Sequence, residues 1–297
     1  MRIFYFNITY GCNSNCIFCY SHNTKHSKKT YNEISSEAFF KYLDDNNLKP
    51  EDRVIINGGE PFLHSQIDCI LKGLQTYGCE VLIYTNGRLV KNFSLEYLSE
   101  KYRFVIPIHG YEEIHDKITG VPGSYDETLQ SLHYLKDNVR CKVDIKIIIN
   151  NYMIDQDPDK NKLGISLANV PFNNAVHITK MADTIVSKRN GCKSVKNEKA
   201  AEYTKWLFDY YKSRDINIKL FDTCVKNIEW EKYGEMPHYL DSITVYFKDK
   251  NQFREMILER SLPECMPTCM CKEKCVSAVD EYKAIEFVKG KIIENLE

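Results

Sequence analysis

The feature that most constrains this chain is a rhythm. Short apolar, β-branched runs alternate with segments of helical character. The runs at 3–9, 53–58, 80–87, 104–110, 141–150 and 175–181 read as strands. Between them, 35–46 reads as a helix opened by Ser35 as its cap. Segments near 66–77 and 94–101 read as shorter helices, and 124–138 as a long amphipathic one. Strand followed by helix, six times over, means parallel strands joined by crossover helices. The strands are almost continuously apolar, as expected when both faces are covered. A closed eight-unit barrel needs about 250 residues, and this pattern uses only about 180. The expected fold is therefore α/β, a partial (β/α)6 barrel of parallel strands.

After residue 182 the rhythm changes. Residues 198–214 read as one long helix, 216–224 and 242–247 as strands, and 281–295 as a hairpin or strand pair. This predicts a barrel over 1–182 and a small α+β, cysteine-rich C-terminal extension over 183–297. The first strand starts close to Met1, so no separate leader-peptide-binding domain is expected ahead of the barrel.

Composition excludes several classes. Lys and Arg number 40 against 41 Asp and Glu, a net charge of −1, which argues against a chain built mainly as a basic nucleic-acid binder or an acidic disordered tail. No apolar run approaches the ~20 residues of a membrane helix. The N-terminus lacks the cationic region, apolar core and small-residue cleavage site of a secretory signal. The expectation is a cytoplasmic protein with no membrane or nucleic-acid partner.

Against that background the 12 cysteines need a reason, because a reducing compartment disfavours a disulfide framework. Cys12, Cys16 and Cys19 cluster at the front. Cys265, Cys269, Cys271 and Cys275 cluster at the back. The front spacing, Cys-x3-Cys-x2-Cys, lies in the loop after the first strand. Structural zinc wants four closed ligands. Three thiolates suit an iron–sulfur cluster with one position left open, although on spacing alone a zinc site stays in play.

The wider pattern resembles the radical S-adenosylmethionine (radical SAM) superfamily. Phe18 stands just before the last cysteine of the triplet, and Asn57-Gly58-Gly59-Glu60-Pro61 ends the second strand. Thr85-Asn86-Gly87 ends the third, and the stretch from His109 through His115-Asp116-Lys117 to Gly123-Ser124-Tyr125-Asp126 follows the fourth. The resemblance covers roughly residues 3–150 and points to the peptide-modifying branch. It implies that Cys12, Cys16 and Cys19 hold three irons of a 4Fe-4S cluster, whose fourth iron takes the amino and carboxylate groups of SAM. It also implies that Phe18 lies near the adenine, and that Gly58, Gly59, Glu60 and Pro61 meet the amino group of SAM. Asn86 and Ser124 fall in further cofactor-binding segments. Two departures stand out. Pro107-Ile108-His109-Gly110 replaces the Ser-x-Asp-Gly often found in that branch, and Thr119 occupies the place of an Arg. His109 is then the candidate to take over a SAM contact.

The activity implied is one-electron reductive cleavage of SAM by the reduced cluster. It yields methionine and a 5′-deoxyadenosyl radical, which abstracts hydrogen from an unactivated carbon. A flavodoxin- or ferredoxin-type donor would supply the electron. The back cysteines, Cys-x3-Cys-x1-Cys-x3-Cys, imply a second iron–sulfur cluster or a zinc ion. Their position matches the SPASM or twitch extensions of peptide maturases, while their spacing does not. The expected substrate is a ribosomally made peptide, undergoing epimerisation or thioether or carbon–carbon crosslinking. The alternatives are a small molecule in natural-product or cofactor biosynthesis and, in another class, a non-catalytic zinc-binding module.

Other residues carry smaller expectations. Cys69, Cys79 and Cys141 read as buried small hydrophobes. Cys192 and Cys224 are candidates for extra ligands at the back cluster, and His22 and His26 for solvated loop side chains. His177 is expected in the barrel interior or the helix layer, and Lys146 to point inward toward a carboxylate.

Overall fold

A computed structural model describes residues 1–19, 33–181, 185–221, 234–235, 242–249, 252–261, 281–288 and 291–293. The expected alternation is present. The strands β1 (Ile3–Thr9), β2 (Arg53–Gly58), β3 (Glu80–Tyr84), β4 (Tyr102–Pro107), β5 (Lys142–Ile149) and β6 (Ala175–Lys180) lie side by side and parallel, in chain order. The helices α1 (Ser36–Asp45), α2 (Ile67–Leu74), α3 (Glu112–Thr119), α4 (Ser124–Asn138), α5 (Asn151–Gln156), α6 (Asn161–Ala168), α7 (Ile185–Arg189) and α8 (Asn197–Lys212) lie in the connections. A seventh parallel strand, β7 (Asn217–Phe221), pairs with β6 and carries the rhythm past residue 182. The two-residue β8 (Gly234–Glu235) follows it at that edge.

The sheet stays open rather than closing on itself. At its other edge β1 pairs in parallel with β9 (Ser242–Asp249). β9 continues antiparallel into β10 (Gln252–Ser261), β11 (Glu281–Val288) and β12 (Lys291–Ile293). The strand pair expected over 281–295 is thus β11 with β12. β10 has no counterpart in the sequence reading.

Alternation along each strand divides its side chains between two faces. On one face Phe4, Phe6 and Ile8 of β1, Val54 and Ile56 of β2, Phe104 and Ile106 of β4 and Val143, Ile145 and Ile147 of β5 share a core with the helices. Phe39 and Leu43 of α1, Ile70 and Leu71 of α2, and Leu132 and Leu135 of α4 complete it. Burying each such side chain contributes roughly 1.5–3 kcal/mol, so this layer drives the fold. The other face is different. Beside a small apolar group of Ile3, Ile55 and Leu82, it carries a chain of ion pairs. Arg53 meets Glu80 at 2.5 Å, Glu80 meets Arg103 at 2.9 Å, and Asp144 lies 3.9 Å from Arg103 and 2.7 Å from the His177 ring.

Local chemistry explains where the helices begin. The Ser35 hydroxyl accepts from the Ala38 N–H (3.2 Å), the expected cap of α1. α4 spans the residues expected, but its cap comes from outside the helix. Asp116 accepts from the Tyr125 N–H (2.9 Å), the Ser124 hydroxyl (2.8 Å) and the Gly123 N–H (2.5 Å).

Two expectations need correcting. No helix forms over 94–101. Leu95 and Leu98 are buried in the core, and the Leu95 N–H donates to the Tyr134 hydroxyl of α4 (3.1 Å). These tertiary contacts override the helical composition of the segment. Cys69 is exposed, because the buried stripe of α2 is Ile67, Ile70, Leu71 and Leu74 and Cys69 lies off it. Cys79 and Cys141 are buried as expected.

The N-terminal strand is fastened by one carboxylate. Asp52 is buried and accepts from the Arg2 N–H (2.7 Å), the Arg2 guanidinium (2.5 and 3.1 Å) and the Lys49 N–H (3.1 Å). Arg2 also donates to the carbonyls of Asn46 and Asn47 beyond α1 (2.8 and 2.7 Å). Burial works against the charge of Asp52, yet these donors outweigh it and hold the carboxyl down at about 2. Its stabilising effect is complete above the ordinary carboxylate range and is lost as pH falls toward 2. Asp52→Ala is expected to cost about 2 kcal/mol in urea unfolding at neutral pH, and the difference from the parent should shrink steadily between about pH 4 and pH 2.

Candidate active site

The three front cysteines lie on the loop that leaves β1, at the C-terminal ends of the strands. Cys12 is exposed, and Cys16 and Cys19 are half-buried. The loop is held on two sides by backbone. On one, the Asn15 N–H donates to the Thr119 carbonyl (2.8 Å) and the Ile17 N–H to the Ile118 carbonyl (2.9 Å), at the end of α3. On the other, the Gly59 N–H donates to the Thr9 carbonyl and the Glu60 N–H to the Gly11 carbonyl, both at 2.7 Å. A turn closes between Cys16 and Cys19, with the Cys19 N–H on the Cys16 carbonyl (3.0 Å).

That second contact requires glycine. Gly58 has φ +141°, and a Cβ there would collide with the Thr9 carbonyl oxygen. A Cβ on Gly59 would collide with the Gly11 carbonyl. The two glycines thus let the end of β2 lie directly on the root of the cysteine loop.

Glu60 is fully buried, and its carboxylate gathers three donors. The Phe62 N–H (3.0 Å) and the Thr85 hydroxyl (2.6 Å) reach Oε1, and the Asn86 N–H (2.8 Å) reaches Oε2. Burial pushes the Glu60 carboxyl up, and these donors oppose it. Pro61 opens the short 3-10 turn Pro61–Leu63 that Glu60 caps. Asn86 in turn donates to Asn13 Oδ1 (2.7 Å) and Ser14 Oγ (3.3 Å), and its amide favours the thiolate form of Cys12. The ends of β2 and β3 are therefore linked to the segment between Cys12 and Cys16.

His109, just beyond β4, is buried with its ring edge-on to Phe18 at 5.1 Å. Its backbone N–H donates to Nδ1 of His115 (3.2 Å), and its own Nδ1 is buried with no hydrogen-bond partner among the described residues. Burial drives both imidazoles down, His115 to about 3, so both are neutral at pH 7. Ser124 is placed differently. Its hydroxyl is buried between Thr119 Oγ1 (2.6 Å) and Asp116 Oδ1 (2.8 Å) at the start of α4. Phe18, Gly58, Gly59, Glu60, Pro61, Asn86 and His109 thus gather around the cysteine loop, while the Ser124 hydroxyl is engaged inside the α3–α4 junction.

His177 lies on the inner face, where its ring bonds to Asp144 (2.7 Å), and burial keeps it below its ordinary pKa. Lys146 is on the same face, 5.5 Å above the Tyr84 ring. The Cys192 thiol is buried against the Met181 sulfur (3.6 Å). Cys265, Cys269, Cys271, Cys275, Cys224, His22 and His26 lie outside the described residues. Sequence reasoning missed Arg88, whose side chain reaches the cysteine loop. Its one signal was a cation directly after the Asn-Gly pair that ends a strand.

The donor set on the loop is three thiols, the ligand type an iron–sulfur cluster takes. Among the described residues no three His, Cys, Asp or Glu side chains converge as ligands of one ion, and Cys12, Cys16 and Cys19 are free thiols. In a cluster each of the three thiolates would bind a different iron. A family profile described as the Radical SAM superfamily matches residues 6–156. The chain belongs to the radical SAM superfamily.

The relatives fit that placement. An AdoMet-dependent heme synthase of Oleidesulfovibrio alaskensis is 22% identical over 222 residues, covering 73% of this chain and 55% of the relative. A structure of anSMEcpe with bound AdoMet superposes with a TM-score of 0.57 at 16% identity, covering 73% of this chain and 61% of that one. Streptococcus suis SuiB bound to the precursor peptide SuiA gives 0.54 at 13% identity, covering 82% and 57%. The chain therefore spans a little over half of the length of the proteins it resembles. The fold class expected from the sequence holds. Its enzyme class also holds and displaces the zinc-module alternative. The described helices include none long and apolar enough to cross a membrane.

Two outcomes follow from this geometry. Gly59→Ala should abolish iron uptake by the purified protein, measured as iron per chain after anaerobic reconstitution, because the β2 turn can no longer lie on the loop. Desolvation of the thiol by the surrounding protein, although the residue as a whole is exposed, pushes Cys12 up to about 11, with Glu60 and Cys19 adding to it, and burial with Cys19 and Cys12 pushes Cys16 up to about 12. The thiolate fraction then rises about tenfold per pH unit, so iron and sulfide uptake should be faster at pH 9 than at pH 7.

Proposed function

We propose that this protein cleaves SAM reductively at a 4Fe-4S cluster on Cys12, Cys16 and Cys19 and abstracts hydrogen from a ribosomally made peptide. The observation that carries the first half is the fastening of one three-thiol loop by backbone from β2 and by Asn86 from β3. When bound, the cluster supplies one electron to the sulfonium of SAM. The protein's own residues supply placement. Gly58 and Gly59 admit close backbone approach at the strand ends. Glu60 Oε2, which accepts from the Asn86 N–H, is the oxygen proposed to accept from the ammonium of SAM as well. Phe18 offers an aromatic face for the adenine. The buried, unpartnered Nδ1 of neutral His109 is suited to a hydroxyl or ring nitrogen of the nucleoside.

The peptide half is supported by the likeness in fold to SuiB, whose structure holds a precursor peptide and which covers more of this chain than the heme synthase does. The bond made is a thioether or carbon–carbon crosslink, or the outcome is an epimerised residue. Cys265, Cys269, Cys271 and Cys275 are proposed to hold a second iron–sulfur cluster, with zinc as the other occupant. The electron comes from a flavodoxin- or ferredoxin-type protein, in the cytoplasm. A small-molecule substrate is the second reading, and the heme synthase relative is the observation that favours it.

Iron and acid-labile sulfide per chain, with electron paramagnetic resonance of the reduced protein with and without SAM, test the proposal. About eight irons and one signal shifted by SAM are expected if both cysteine groups hold clusters, and about four with the same shift if the back group holds zinc. Little iron and no SAM effect would sink it. For the substrate, 5′-deoxyadenosine should form faster when a precursor peptide encoded beside the gene is added. If only a small molecule stimulates it, the second reading takes its place.

A further inference from the structure

Arg88 has no place in the scheme above, yet its side chain lies behind the cysteine loop and is only 11% exposed. One of its terminal nitrogens, Nη1, donates to the Asn13 carbonyl and lies 3.3 Å from Ser14 Oγ, between Cys12 and Cys16. Its Nε donates to the Glu127 carboxylate on α4 at 2.6 Å. Its backbone N–H holds Oδ1 of Asn86 (3.0 Å), the residue whose amide grips Asn13 and Ser14. Arg88 is thus a rigid fork between the cysteine loop and α4. Its positive charge lies near enough to act on Cys16, Glu60 and His115.

A guanidinium keeps its charge at every relevant pH, and in a poorly solvated place that charge acts over several ångströms. An iron–sulfur centre gains a negative charge on reduction, and its potential responds to nearby charge and hydrogen bonding. A fixed cation beside it stabilises the reduced form. Glu127, at 43% exposure, offsets part of that cation while sharing its field with solvent.

We propose that Arg88 is a positioning residue that fixes the segment between Cys12 and Cys16 and raises the reduction potential of the cluster held there, with Glu127 as its partial counterweight. This rests on the cluster reading given under the proposed function. It concerns neither a SAM contact nor a cysteine ligand.

The test uses the full chain reconstituted anaerobically, with the midpoint potential of the front cluster followed by paramagnetic resonance during redox titration, alongside iron per chain and far-ultraviolet circular dichroism. Glu127→Gln keeps the fork and removes the counterweight, so iron content should stay at the parent value while the potential rises. Arg88→Gln should lower the potential and reduce iron per chain. Arg88→Lys, which keeps the charge but loses the fork, should reduce iron content while the loaded fraction titrates nearer the parent than Arg88→Gln does. If Arg88→Gln fails to fold, Glu127→Gln alone decides the electrostatic claim by the direction of its shift. Parent potential in Glu127→Gln, or parent potential and iron content in Arg88→Gln, would overturn the proposal. Failure of the parent chain to load iron would overturn the cluster reading itself, and it would be seen before any variant is made.

Discussion

Everything at the functional end of this molecule depends on one backbone contact. The turn after β2 lies on the root of the cysteine loop, with the Gly59 and Glu60 N–H groups on the carbonyls of Thr9 and Gly11. Side chains cannot occupy that space, so two consecutive glycines are a steric requirement there. Once the contact is made, Glu60 is carried into the interior. There it binds Thr85 and Asn86, and Asn86 reaches back to the loop. Three strand ends are thereby coupled through one buried carboxylate. Its desolvation is tolerable because every donor it needs is supplied by a strand end that must be there anyway.

The two faces of the sheet divide the work. The helix-side face supplies the apolar burial that makes the chain fold. The inner face is charged, running from Arg53 through Glu80, Arg103 and Asp144 to His177. A closed barrel fills its interior with branched aliphatic residues. An open sheet with ion pairs on that face gives up such packing near the N-terminal ends of β2, β3 and β4, where Arg53, Glu80 and Arg103 stand. From Arg53 to Asp144 the charges alternate in sign, so each of these four faces an opposite charge, and the His177 ring adds a hydrogen bond to Asp144.

Much of this was legible from residue order. All six expected strands formed, α4 matched its expected span, and Ser35 capped α1 as anticipated. Those features rest on short-range periodicity and capping, which a linear sequence carries directly. The cysteine triplet and the Gly-Gly-Glu-Pro turn were legible for a related reason, since each is a local spacing. What escaped depends on contacts across the chain. The segment 94–101 has helical composition but is pulled into an irregular path by core burial of Leu95 and Leu98. α3 ends in a glycine and is tied to the loop by its last carbonyls, which no periodicity announces. Ser124 sits in a familiar stretch, yet its hydroxyl serves the α3–α4 junction. Arg88 gave no signal beyond its place after Asn-Gly, because its partners lie 39 and 75 residues away.

The fastening of Asn15 and Ile17 to the last carbonyls of α3 has a consequence for how the metal centre would be made. In a zinc finger, metal binding and chain ordering are a single event, and the ion must supply the free energy of folding. Here the loop from Thr9 to Ile17 is held by two backbone bonds from its root to one turn and two from Asn15 and Ile17 to one helix. The conformational entropy of that segment is settled when the polypeptide folds. A cluster bound there would meet a loop whose root is already fastened, so less of its binding free energy would go into ordering the chain.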